Sequence, residues 1–407
     1  MLTRRREPGS GAPLAGRSAA GGWLPVVALG IVTITSYGAW FYAFGILIGP
    51  IARDTGWSEA NLAFVFGSAQ VLNGVLAPFG GRLLDRFGGL GPFGSQAIVG
   101  GGLLFGATFA ESALVFGILY AIGAGYVGAT GFYHVTTAAA ARIGPGIPAR
   151  SIAVLTAIGA FCSFIYLPLG QLAIEAYGWR AAARIFALTA VGGALLATWL
   201  AGGGASPNKG GPSPHPLRAL RAAIGVREIR WMFAGYAFAG AAFSSVLLFQ
   251  VPIMESVGIS AGTAALLAGT RGACQFFGRV GLIATVASRG ALRSLQVAYA
   301  VAAVGTLLIL VGSVSAATGY AIIVGVALGA ASPLQAIHGQ EVFDPDDLGM
   351  LMGLQHSVFS VAGGIGPVAI GLVRSNRGSY TSSVFMISAA MMISVVLLGK
   401  SRAPIGD

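Results

Sequence analysis

Apolar positions in this chain fall in long runs separated by short polar breaks. At 1.5 Å per residue, each run is long enough to cross about 30 Å of hydrocarbon as a helix. The runs cover 23–50, 58–80, 93–110, 114–140, 150–174, 181–201, 231–254, 261–284, 294–312, 317–336, 349–372 and 379–399, predicting twelve spans. No alternation of period two dominates, which argues against a β-barrel. The longest break, "GGGASPNKGGPSPHPLRALRAAIGVREIR" from Gly202 to Arg230, reads as a Gly/Pro/Ser linker running into a basic surface segment. It divides the chain six and six. The expected organisation is a disordered basic tail over 1–22, a six-helix half over 23–201, a linker over 202–230, a second half over 231–399 and a short tail over 400–407.

Composition excludes a soluble domain: 55% of the 407 residues are hydrophobic and only 9% are charged. The 64 glycines, with abundant alanine, suit close helix contacts, because lipid supplies no hydrophobic drive between helices. Positive charge fixes the expected orientation. Arg4, Arg5, Arg6, Arg17, Arg82, Arg86, Arg142, Arg150 and the cluster from Lys209 to Arg230 lie on one side, against Arg53, Arg180, Arg184, Arg374 and Arg377 on the other. Both termini are therefore expected in the cytoplasm, with the chain in a cell membrane. The net charge of +11 then calls for anionic headgroups and no nucleic acid. Cys162 and Cys274 both fall inside spans, so no disulfide framework is expected. No phosphate loop, metal-ligand cluster or nucleophile–base pair occurs, which argues against an enzyme and against a metal or cofactor.

Two sets of six spans suggest an internal repeat. It is visible when "WSEANLAFVFGSAQVLNGVLAPFGGRLLDRFGG" is set against "ISAGTAALLAGTRGACQFFGRVGLIATVASRGA". The first copy ends in "GGRLLDRFGG", Gly80 to Gly89, which resembles the signature loop between spans two and three of the major facilitator superfamily. That resemblance implies an all-α membrane protein of twelve helices in two halves. It also implies that Asp85, with Arg82 and Arg86, latches one state of an alternating carrier. The second copy has Ala287 near the place of the acid, so the latch is expected on one side only.

Within that superfamily, "GGWLPVV" (Gly21 to Val27), "YGAWFYAFGILIGPIARDTGWS" (Tyr37 to Ser58), "ARSIAVLTAIGAFCSFIYLPLGQ" (Ala149 to Gln171) and "YGWRAAARIFAL" (Tyr177 to Leu188) resemble the branch of monocarboxylate porters and oxalate:formate exchangers. Two departures stand out: the branch's usual acid is Ala20 here, and one basic residue stands in the fifth span where two or three are usual.

The buried polar residues carry the rest. All 13 acids fall in tails, loops or span ends, whereas Arg271 and Arg279 lie within the eighth span. A guanidinium in the membrane needs a partner or a wet cavity, and its fork suits a carboxylate. Arg271, Gln275 and Arg279 stand at i, i+4 and i+8, one polar stripe with the arginines about 12 Å apart. Depth favours Arg271; "FFGRVG" resembles the branch's substrate-arginine context and makes Arg279 the expected primary ligand, with Arg271 as a second cavity charge. An arginine capped by backbone carbonyls is the alternative for either. Gln275 stands where some porters of the branch carry a proton-relay aspartate, so that relay is absent. In the eleventh span Gln355 and His356 interrupt "GLQHSVFSVAGGIGP", and the oxalate exchangers place a lysine near His356. A histidine there gives a switchable charge and is the candidate for proton coupling. His134 is a weaker candidate near the end of the fourth span, and His215 and His338 are read as loop residues without a role.

Tyr37, Trp40, Tyr42, Tyr120, Tyr126, Tyr133 and Tyr166 are aromatic wall candidates, with Tyr42 and Tyr126 kept as hydrogen-bonding ligands. Small residues in "ALGAASPLQAIHG" replace the aromatic cage of an oxalate exchanger and favour a bulkier monocarboxylate. The expectation is a monomeric symporter of small carboxylates and protons, with anion exchange or a non-transporting anion sensor as the other readings.

Overall fold

The computed structural model describes residues 22–143, 148–202, 221, 224–280, 290–342 and 348–401. The predicted basic tail, most of the linker with His215, Ala287 and the last six residues lie outside them. Among the described residues the chain is helical throughout, and no strand occurs. It makes twelve rods: 24–55, 59–87, 90–107, 113–143, 148–177, 179–201, 227–256, 261–280, 291–311, 314–342, 348–377 and 381–399. Nine stretches among the described residues are long and apolar enough to span a membrane by themselves. One of them, Arg150–Ala201, holds two rods, because Gly178 turns the chain with φ 79° and ψ 165°. The third rod is missing from that set because it is broken into π-helical turns, Leu90–Gly94 and Gln96–Gly100, ahead of Gly101–Ala107. The eighth is missing because Arg271, Gln275 and Arg279 lower its hydropathy.

The first rod starts and the last rod ends on one face, here called the terminal face, and each rod crosses to the other face in turn. Several rods run further than the apolar pattern predicts. The second, Glu59–Phe87, takes Arg82, Asp85 and Arg86 into its last two turns before Gly88, at φ 63°, ends it. Arg82 and Arg86 are exposed at that end, and the Asp85 side chain lies outside the described residues. The tenth, Val314–Val342, takes in His338, which is therefore buried in a helix and not in a loop.

The first rod changes character midway. Leu24–Ser36 and Phe44–Thr55 are α-helical, and Tyr37–Tyr42 between them is a π-helix. A π turn inserts a residue and re-aims the side chains that follow it. Here it directs the run Trp40, Phe41, Tyr42 into the interior, where all three are buried.

Glycine sets how closely the halves meet. A Cβ at Gly67 on the second span would lie 2.4 Å from the Gly364 carbonyl oxygen on the eleventh, and one at Gly45 on the first would lie 2.9 Å from that of Leu248 on the seventh. On the eighth span a Cβ at Gly272 would collide with Ser163 of the fifth. Polar side chains fasten the same seam. Gln70 Nε2 donates to Ser244 Oγ at 3.0 Å, and Ser357 Oγ donates to the Gly74 carbonyl at 3.0 Å. On the opposite face Tyr380 donates to Glu59 Oε2 at 2.6 Å, with Arg374 Nε 4.0 Å from the same oxygen, so the halves are tied there as well.

Gly67→Ala is expected to hold the halves apart along this seam and to slow flux at least tenfold, because the atom it meets is backbone and cannot step aside. Gly192→Ala, with open space around its Cβ, is the control and should leave flux and melting temperature unchanged. Flux through reconstituted protein measures both.

Candidate functional site

Arg271 is fully buried, among the largest side chains in the molecule to be so. It reaches that position because the eighth span has no side chain at Gly269 or Gly272, which lets it close on Ser163 and Pro168 of the fifth, while Gly325 of the tenth admits the Arg271 backbone on the other side. Its Nε donates to Gln250 Oε1 at 2.8 Å, and the Tyr320 hydroxyl donates to the same oxygen at 3.0 Å. Gln250 Nε2 turns back to the Leu247 carbonyl at 3.5 Å, which holds the amide with its oxygen toward the arginine. Both terminal nitrogens of Arg271 are buried with no partner. The acids whose side chains are described, Asp54, Glu59, Glu111, Glu175, Glu228, Glu255 and Glu341, all stand at span ends or in loops, and Asp85 is in the last turns of the second span. The interior thus holds a cation with one neutral partner and four unsatisfied N–H donors, and the fork is free to take two oxygens of an anion.

Arg279 lies two turns nearer the terminal face and is occupied differently. Its Nη1 donates to the Thr156 carbonyl and lies 3.5 Å from the Tyr133 hydroxyl, with the guanidinium 5.7 Å from the centre of the Tyr133 ring. Thr156 and Tyr133 belong to the first half, so Arg279 is an inter-half tie of the carbonyl-capped kind weighed above, with Nε still unpartnered. Gln275 between them is buried with a free Nε2.

Tyr42 is buried on the first span, its ring 6.3 Å from that of Tyr37. Tyr37 stacks on Phe132 at 3.6 Å and stands 5.2 Å from Tyr133, which places these aromatics beside Arg279. Tyr126 does not join them: its ring neighbours Phe79, 6.4 Å away on the bundle's exposed surface. Tyr120 sits among Phe44 and Phe116, and Tyr166 donates to Thr189, both inside the first half.

His356 lies on the eleventh span with Nε2 3.3 Å from Ser360 Oγ. Its ring stands 4.7 Å from that of His134 on the fourth span. Gln355 Nε2 donates to the Gln335 carbonyl at 3.3 Å, away from the arginines. His338 forms a separate pair, its Nδ1 2.8 Å from the Tyr236 hydroxyl.

Twelve rods in two halves with a buried cation between them is a carrier architecture, and residues 29–367 match the Major Facilitator Superfamily. The chain belongs to this superfamily. It is a multi-pass membrane transporter and not an enzyme. Among curated proteins it is similar to human monocarboxylate transporter 11, with 26% identity covering 94% of this chain and 84% of that protein. Among solved structures it resembles the nucleoside transporter NupG, with a TM-score of 0.74 at 11% identity, covering 93% of this chain and 100% of that one. It also resembles a D-xylose–proton symporter, at a TM-score of 0.69 and 14% identity, covering 92% and 97%. At such identities the structural likeness establishes the fold, not the cargo.

Gln250 and Tyr320 were not among the residues singled out from the sequence. Their signal is weak but present: Gln250 interrupts the apolar run "VLLFQVPIM" of the seventh span, and Tyr320 opens the apolar run "YAIIVGVAL". Gln250→Leu removes the only described partner of Arg271 and should lower stability by about 2 kcal/mol, the worth of a hydrogen bond to a charged group. Tyr320→Phe leaves the Arg271–Gln250 bond in place and should cost about 1 kcal/mol. Unfolding of the two variants in parallel checks the order, and equal losses would show that Gln250 does not hold the arginine.

Proposed function

We propose that this transporter carries small monocarboxylates, and that Arg271 is the group that binds the carboxylate. The observation behind this is the pair of buried, unpartnered terminal nitrogens on Arg271 in an interior without a described acid. A permanent cation held that way is unfavourable by several kcal/mol until an anion arrives, so the ligand's own charge completes the site. The named function of the human relative, a monocarboxylate transporter, supports the same class. Arg279, the ligand expected from sequence context, is engaged with Thr156 and Tyr133 in this state and serves as a second station toward the terminal face, with Gln275 and Tyr42 between the two.

Transport proceeds by alternating access, the halves rocking about the glycine seam. The terminal face is cytoplasmic, as the basic residues Arg82, Arg86, Arg142, Arg150, Arg227 and Arg230 on it support. Proton symport follows if the anion is held well only when His356 is charged: an imidazolium out of water is disfavoured alone and favoured beside an anion. Substrate and proton then raise each other's affinity by one common factor. Anion exchange is the second reading, favoured by Arg271 itself, because a fixed cationic site returns more easily when occupied. Asp85, with Arg82 and Arg86, latches the outward-open state, and Asp85→Asn should raise inward-facing accessibility to thiol labelling without abolishing binding.

Purified protein should melt at a higher temperature in millimolar lactate or pyruvate. Arg271→Lys, which keeps charge and loses the fork, should abolish that shift and reduce uptake at least tenfold. Arg279→Lys should keep the shift and slow uptake less, and the reverse ranking would move the site to Arg279. Stabilisation without flux into proteoliposomes would mark a sensor.

Uptake by the wild type should rise as external pH falls from 7.5 to 5.5 and should be driven by an inward proton gradient alone. Uptake that ignores the gradient yet is accelerated by internal carboxylate would assign exchange. His356→Gln should flatten the pH response and leave counterflow measurable.

A further inference from the structure

His134 and His356 come from opposite halves, on the fourth and eleventh spans, yet their rings stand 4.7 Å apart with planes inclined at 33°. His134 Nε2 is 3.0 Å from the Ala129 carbonyl oxygen. A carbonyl only accepts, so that nitrogen carries the hydrogen, and in the neutral ring Nδ1 presents a bare lone pair. Nδ1 is buried and has no partner. A buried acceptor without a donor is a standing deficit, and the hydrogen that would fill it is a proton. The neighbouring ring is that of His356, whose Nε2 lies 3.3 Å from Ser360 Oγ.

From this geometry we propose that His134 and His356 form one proton-binding unit across the halves, in which His134 Nδ1 is the seat of the proton and the adjoining His356 ring feels its charge. The proposal rests on the proton-coupled reading above and extends it to a residue of the other half. Protonation forms an N–H bond at His134 Nδ1 and returns water from hydronium; release reverses this. The unit takes one proton readily and a second with difficulty, because two imidazoliums at this separation repel. One proton suits the closed seam, and the second acts to separate the fourth and eleventh spans at the terminal face.

The charged and titratable groups on the surrounding spans are few. The second span carries Arg82 and Arg86, both exposed, and Asp85, whose side chain lies outside the described residues. The fourth carries Arg142, whose Nη1 lies 3.4 Å from the Leu84 carbonyl, and Tyr133, which faces Arg279 of the eighth. The tenth carries Tyr320, Glu341 in its last turn, and His338, which is tied to Tyr236 of the seventh, and the seventh opens with Arg227, Glu228 and Arg230. The second span also contributes Asn73, whose Nδ2 lies 3.5 Å from Ser360 Oγ and links it to the pair.

The test uses full-length protein labelled with ¹⁵N-histidine in lipid nanodiscs, titrated from pH 8 to pH 4 by NMR. In the wild type the two rings should titrate together in two steps at least about one pH unit apart, and each ring alone, in His134→Gln or His356→Gln, should titrate in one step. Independent curves, unchanged when the partner is removed, would overturn the unit, and the wild-type curves decide this even if a variant does not fold. In proteoliposomes both single variants should lose proton-driven lactate accumulation to the same extent and retain a slower but measurable counterflow, with the double variant no worse than either. Gradient-driven uptake that survives His134→Gln but not His356→Gln keeps symport and overturns the shared role. Coupled titration in a wild type whose uptake ignores the gradient overturns the coupling role together with the symport reading.

Discussion

A guanidinium sealed inside an apolar bundle has to be answered by something, and at Arg271 the protein answers only in part. Gln250 satisfies one nitrogen, Tyr320 steadies Gln250, and the fork is left open. The surrounding structure makes this incompleteness tolerable. Glycines at 269, 272 and 325 bring three spans close enough to exclude water and hold the head in place, so the unmet donors are fixed in direction before a ligand arrives. On the proposed reading, such preorganisation lowers the ordering cost of binding a carboxylate.

The remaining inter-half contacts are arranged around that point. Side chains are absent where helices cross, at Gly45, Gly67 and Gly272, and the polar links that replace them are neutral at mid-depth, Gln70 to Ser244 and Ser357 to the Gly74 carbonyl. Among the described residues charge enters these ties toward the ends, through Arg279 on the terminal side and Glu59 with Arg374 on the other. Neutral hydrogen bonds between close backbones are individually worth about 1 kcal/mol, so the seam holds without locking, which a rocking carrier requires.

The number of spans, the division into halves and the superfamily were legible because length and hydropathy act locally: about 20 apolar residues must become a helix in lipid, whatever surrounds them. Helix ends were less so. The second and tenth spans run on into polar residues, and that misplaced His338 in a loop. The arginines of the eighth span were legible in the sequence, but not their arrangement. Which arginine is capped depends on Thr156, 123 residues away, and what orients Arg271 depends on Gln250 and Tyr320 from two other spans. Tyr126 faces Phe79 and not the interior because of rotation about the helix axis, which an apolar helix with little amphipathic contrast does not record. The meeting of His134 and His356 joins positions in opposite halves, and no local pattern announces it.

Both ends of the seam are tied in one structure: Tyr380 to Glu59 on one face, Arg279 to Thr156 on the other. The consequence concerns leakage. If each tie opened independently, at a cost of about 2 kcal/mol, each would be open about one part in thirty of the time, and a continuous aqueous thread would form only when both opened together, on the order of one part in a thousand. Because closing one face in a rocking bundle strains the other open, the two events need not be independent, and whatever anticorrelation the fold imposes makes the thread rarer still. A membrane that stores energy as an ion gradient therefore loses little of it through this protein between turnovers.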